Sequence, residues 1–224
     1  MGKTTLTKPA GAGRHFLQLA LVLVVAPGTQ AALPTNCPDP AMIQTPLVQQ
    51  DFSDEQFQGF YYELAMKDAT QPRGICSCQT SNKTFVDFST IVDDFAIQCA
   101  GAVYHNDLSF EVHPDRRGVN IGTWNGVPWI DMIQFPNTIV DMSVNPATGE
   151  YDWVIEFQCV QGPRIMGNDW IAFYAINFYS KDYRNASSQI ALMEKRFRQQ
   201  GLGDFIDDGL ELAIIDHSDC LENH

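Results

Sequence analysis

Between Gly59 and Tyr179, runs rich in Val, Ile, Phe, Tyr, Trp and Thr alternate with turn-forming clusters roughly every eight to fifteen residues, a pattern that points to an antiparallel sandwich or barrel. Strands are expected over Phe60–Met66, Ser77–Phe88, Phe95–Tyr104, Leu108–His113, Val119–Trp124 with Trp129–Phe135, Thr138–Val144, Tyr151–Val160 and Trp170–Tyr179. The breaks are read at Asp93-Asp94, His105-Asn106-Asp107, Pro114 to Gly118, Asn125-Gly126, Pro136-Asn137, Asn145 to Gly149 and Gly162-Pro163, which carry residues suited to tight or positive-φ turns. Between Asn185 and Gln200 the period changes. Ile190, Met193 and Phe197 recur at spacings of three and four, and Gly201 is placed to end a helix. The expected fold is all-β: an eight-stranded antiparallel up-and-down barrel with one C-terminal α-helix packed outside, then an extended tail over Leu210–Ile215 that leads to Cys220.

The first residues are of another kind. Lys3, Lys8 and Arg14 precede an apolar run from Phe16 to Ala26, and small residues up to Ala31 follow. This is the layout of a secretory signal over 1–31, leaving one domain over 32–224, and no later apolar stretch is long enough to span a membrane. In an oxidising compartment the six cysteines Cys37, Cys76, Cys78, Cys99, Cys159 and Cys220 read as disulfides before metal ligands. Cys76 and Cys78 are poorly placed to bridge each other, so each is expected to pair elsewhere. Asn82-Lys83-Thr84 and Asn185-Ala186-Ser187 are glycan acceptor tripeptides and mark surface positions. With 27 acidic against 14 basic residues the formal charge is −13, which repels nucleic acid and anionic lipid.

A barrel of this size has room for its own side chains or for one small guest. The strand aromatics favour a guest. Tyr104, Trp124, Trp129, Phe135, Trp153, Trp170 and Tyr174 are the expected lining, with the hydroxyl of Tyr104 or Tyr174 offered to a polar end group. In the last strand, period two sets Trp170, Ala172, Tyr174 and Ile176 on one face and Ile171, Phe173 and Ala175 on the other; the first set is taken as facing the cavity. The sequence has no nucleophile elbow and no Gly-rich phosphate loop. His113 with Asp115, and the pairs Asp93-Asp94 and Asp207-Asp208, are read as solvated turns and not as metal sites, and no cofactor is implied.

Cys37-Pro38-Asp39-Pro40, Asp51-Phe52 and Phe57-Gln58-Gly59-Phe60-Tyr61-Tyr62-Glu63-Leu64 resemble the opening of lipocalins of the apolipoprotein D and crustacyanin type. The resemblance extends through Tyr151 to Cys159, Asp169 to Asn177, the helix and Cys220. It implies bridges of Cys37 with Cys159 and of Cys76 or Cys78 with Cys220, with Cys99 taking the spare cysteine. There are departures: Tyr61 stands where the family has Trp, Ile176 where it has an Arg near the end of the last strand, and the T-D-Y motif is missing. A ring stacked under a cation normally closes the barrel floor, so this chain is expected to seal it otherwise. A fainter resemblance, through Cys76-Ser77-Cys78-Gln79, is to the lipocalin domain of violaxanthin de-epoxidase, and it implies a buried acid (Glu63, Asp87 or Asp131) that could protonate an epoxide. The resulting expectation is a secreted, non-enzymatic carrier of a retinoid, carotenoid, sterol, bilin or fatty acid. The alternatives are the de-epoxidase-like enzyme and a self-filled barrel acting as an interaction protein; exposed aromatics would also suit a homo-oligomer.

Overall fold

The strand series closes on itself. A computed structural model of the chain describes residues 34–68, 71–124, 134–163 and 170–221. Its eight long strands are β1 Gly59–Asp68, β2 Cys76–Val86, β3 Thr90–Cys99, β4 Ala102–Val112, β5 Val119–Trp124, β6 Phe135–Val144, β7 Tyr151–Pro163 and β8 Trp170–Ser180. Each pairs antiparallel with its neighbour in sequence, and β1 bonds to both β2 and β8, so the sheet is a barrel.

Four expected breaks lie inside or at the end of strands. Asp93-Asp94 falls within β3, His105-Asn106-Asp107 within β4, Pro136-Asn137 within β6 and Gly162-Pro163 at the end of β7. Asp93, Asp94 and His105 do not interrupt the ladder because cross-strand partners satisfy them. Asp93 accepts from Ser81 Oγ at 2.7 Å and pairs with Lys83 Nζ at 2.6 Å, while Asp94 meets His105 Nδ1 at 2.8 Å. The turns around β3 are the three-residue loop Asp87-Phe88-Ser89, with Asp87 and Phe88 at positive φ, and the two-residue hairpin Ala100-Gly101, both at positive φ.

One seam differs. β1 and β2 stay in register from Gly59↔Lys83 to Tyr62↔Thr80 and then part at a bulge in β2, where Cys78 has φ 58°. The short β9, Ala213–Ile214, fills the gap by pairing with Ala65 and Met66. Ile215 N donates to Leu64 O at 3.0 Å and Cys78 N to Asp216 O at 2.9 Å. The Cys78–Cys220 bridge pins this tail. Cys76 bridges Cys99, its register partner across the ladder, and Cys37 bridges Cys159.

The helix α3, Ala186–Phe197, lies on the outer face of the barrel, with Ile190, Met193 and Phe197 buried as their spacing indicated. The helical course ends at Gly201, as expected, where the backbone turns left-handed at φ 77°; the chain kinks there and continues as the short α4, Gly203–Ile206. Buried Lys67 from β1 donates to the Phe205 and Ile206 carbonyls at 2.8 and 2.9 Å and pairs with Asp208, so it satisfies the end of this extension.

Two short helices in the entering arm were not foreseen: α1 Pro40–Ile43 and α2 Pro46–Asp51. Their signal was present. Asp39-Pro40 and Thr45-Pro46 each put a capping side chain before a proline in the first turn, and Asp39 accepts from Ala41 N at 3.0 Å. α2 buries Val48, and Phe52 stacks on Tyr151 at 5.5 Å, which plugs one end of the barrel.

Candidate functional site

Strand β8 shows which face looks inward. Phe173, Ala175, Asn177 and Tyr179 line a cavity of about 410 Å³, together with Phe95, Ile97, Leu108 and Phe110 from β3 and β4. The facing expected from sequence is therefore reversed. Ala172, Ile176 and Phe178 belong to the layer between the sheet and α3. The reason is physical: the helix covers the outer face, so large apolar residues stand on both faces of β8, and alternation cannot label which is which.

The expected lining residues separate accordingly. Phe135 is in the cavity wall, its ring packed over Gly122, its partner across the β5–β6 ladder. A Cβ on Gly122 would lie 2.4 Å from that ring, so the missing side chain is what lets the aromatic lie flat. Trp153 instead sits in the outer layer beneath α3. Tyr174 borders the cavity, but its ring packs edge-on to Phe205 at 5.0 Å and its hydroxyl donates to Asp208, outside the barrel. Tyr104 is 55 % exposed, two residues along β4 from the cavity-lining Asn106. Trp129 and the side chains of Trp124 and Trp170 lie outside the described residues.

Polar residues form the cavity floor, among them Asp93, which the sequence suggested as part of a solvated turn. Lys83 Nζ pairs with Asp93 at 2.6 Å and with Glu156 at 3.2 Å, all three side chains being buried. The ammonium also lies 4.9 Å from the Tyr179 ring centre, 5.0 Å from Phe57 and 5.7 Å from Phe110. Asp93, Glu156, Phe110 and Tyr179 line the cavity, so this network separates it from the plugged end. Burial pulls the Lys83 ammonium down, yet the Asp93 and Glu156 carboxylates outweigh it and hold the group above its ordinary value. Burial pushes the Glu156 carboxyl up, with Lys83 opposing. Period-two alternation of Ser81, Lys83 and Phe85 could have placed Lys83 inward, but it stood in a tripeptide read as a surface marker.

Glu63 on β1 is the second buried acid. Its Oε1 accepts from Gln71 Nε2 at 3.2 Å and, with the Asn177 amide in its donating orientation, from Asn177 at 3.1 Å. Gln71 and Asn177 both line the cavity. Burial, and then the charge of Asp68, push the Glu63 carboxyl well above the usual carboxylate range. Asp87, a second acid considered from sequence, sits in the exposed turn after β2, and Asp131 lies outside the described residues. Among the described residues no group of three His, Cys, Asp or Glu side chains is arranged to hold a metal ion.

The plugged end has the ring and cation that the sequence was expected to lack. Lys181, one residue beyond β8, places its ammonium 3.8 Å from the centre of the buried Tyr61 ring. Ile176 is therefore not the relevant position. Gly59, at φ 104°, leaves the space: a Cβ there would lie 2.7 Å from Lys181 Nζ.

No family model matches this sequence, and no curated protein matches it. The structure superposes on insecticyanin from the tobacco hornworm Manduca sexta with a TM-score of 0.58 at 13 % identity, covering 83 % of this chain and 88 % of that one. It superposes on apocrustacyanin C1 with a TM-score of 0.55 at 12 % identity, covering 83 % and 92 %. The shared property is the fold, the lipocalin barrel.

Proposed function

We propose that this chain is a lipocalin-like carrier that binds one small molecule with an apolar body inside the barrel and holds it away from water. The observation that carries the reading is the cavity of about 410 Å³ walled by Phe95, Leu108, Phe110, Phe135 and Phe173, within the ~300–1,000 Å³ range of small-molecule sites. Burial of apolar guest surface at about 25 cal/mol per Å² supplies the driving force. Three disulfides, with no free cysteine among the described residues, suit a secreted protein, and Asn82 and Asn185 are exposed, as glycan acceptors must be. Among the described residues no helix is long and apolar enough to cross a membrane.

The test is extraction of the natively purified protein with organic solvent and identification of the extract by mass spectrometry, together with tryptophan-quenching titrations of apolar ligands. One guest per chain is the expected result. An empty extract, with unquenched fluorescence across the panel, overturns the carrier reading and favours a barrel that acts through its surface.

A further inference from the structure

We propose that the cavity selects a guest whose polar end is a protonated amine on an aromatic or aliphatic body, with Glu63, Gln71 and Asp68 as the receiving groups. This rests on the carrier reading and deepens it by naming the class of guest.

The first support is the sign of the interior charge. Four carboxyl groups, Glu63, Asp68, Asp93 and Glu156, stand in or beside the cavity. The cation buried among them, Lys83, is committed to Asp93, Glu156 and the faces of three rings. Even with Glu63 protonated, Asp68, Asp93 and Glu156 outnumber that cation, so a carboxylate head group would meet like charge, whereas an ammonium would meet its complement.

The second support is unmet hydrogen-bonding capacity of one kind. Glu63 is fully buried, and among the described residues its Oε2 has no hydrogen-bond partner. Gln71 Oε1, from the cavity-lining side chain that donates to Glu63 Oε1, has none either. Both are acceptors. A buried acceptor left open is costly, and an ammonium brings three donors and no acceptor, so it can satisfy the two oxygens together. An alcohol supplies one donor and a carboxylate none. Asp68, 8 % exposed and in the same cavity wall, adds charge beside Glu63. Phe95, Phe110, Phe135 and Phe173 give ring faces for the guest body.

Three probes with one ring and different heads isolate the effect: 2-(1-naphthyl)ethylamine, 2-(1-naphthyl)ethanol and 1-naphthylacetate. They are titrated calorimetrically into the guest-free full chain at 0.15 M NaCl, where the Debye length of about 8 Å mutes the acidic exterior. The amine is expected to bind at one site about tenfold more tightly than the alcohol, as a charge-assisted bond adds over a neutral one, and the carboxylate to give no heat. Equal binding of amine and alcohol, or tightest binding of the carboxylate, overturns the amine proposal and leaves the carrier reading standing. Silence from all three probes overturns the amine proposal, and an empty native extract removes the carrier reading with it. Glu63→Gln is expected to cut the amine affinity about tenfold and leave the alcohol unchanged. Asp68→Asn carries the same expectation and serves if Glu63→Gln does not fold; unaltered amine affinity in the folded variant overturns the proposal.

Discussion

The two faces of the β7–β8 pair are built from opposite materials. Outward, Ile155, Phe157, Ile176 and Phe178 are at most 1 % exposed, with Phe197 of α3 lying 5.8 Å from Phe157 and 6.3 Å from Phe178. Inward, Glu156, Gln158, Asn177 and Tyr179 face a cavity. On the proposed carrier reading, stability and recognition are thus divided across a single sheet. The layer under the helix behaves as an ordinary close-packed core, and the barrel lumen holds charge, polar groups and empty volume that a stability-driven design would omit.

Substitutions on the two faces should therefore fail differently. Phe197→Ala, in the outer layer, is expected to cost about 3–5 kcal/mol in urea unfolding, with no effect on the probe selectivity of the folded fraction. Lys83→Met, in the lumen, is expected to cost about as much at neutral pH, because two buried carboxylates lose their cation. Unlike the Phe197 deficit, this one should shrink as pH falls and the orphaned carboxylates take up protons; equal deficits from pH 5 to 8 would break the contrast.

Glu63 gives a third, smaller signature. Its carboxyl is raised in the folded state, so the fold holds a proton that the unfolded chain gives up above about pH 4.3. Stability should fall as pH rises through the window between those values, by at most ~1.4 kcal/mol per pH unit. Glu63→Gln should flatten that slope in urea titrations across the same range. Lys181→Met removes a cation stacked on Tyr61 and should cost about 0.5–2 kcal/mol. The smallest effect is expected for Phe135→Ala in the cavity wall: within about 1 kcal/mol in unfolding, but a measurable change in guest affinity.

The strand order, the helical stripe of Ile190, Met193 and Phe197, and the exterior placement of that helix were legible because each follows from periodicity. The lumen was not. Asp93 and Asn106 looked like turn formers, since a sequence shows a polar residue but not the cross-strand partner that makes it a legitimate strand resident. Tyr174 and Trp153 looked like cavity aromatics because a covered outer face has the same composition as a lined inner one. Lys181 went unnoticed as the closing cation because it stands one position after the strand, where spacing from the family pattern pointed to Ile176.

The seam closed by β9 sets a timetable for biosynthesis. Cys78 is joined to a residue 142 positions downstream, while its neighbour but one, Cys76, finds Cys99 only 23 positions away. At ribosomal rates of about 5–20 residues per second, Cys78 waits roughly 7–30 s for its partner, and for most of that interval Cys99 is within reach of either thiol. A premature Cys78–Cys99 crosslink would leave Cys76 facing Cys220 and the gap beside β1 unfilled. Such a crosslink would be undone by a thiolate attacking it and exchanging partners through a mixed disulfide, so recombinant yield is expected to follow disulfide isomerase activity more closely than oxidising strength.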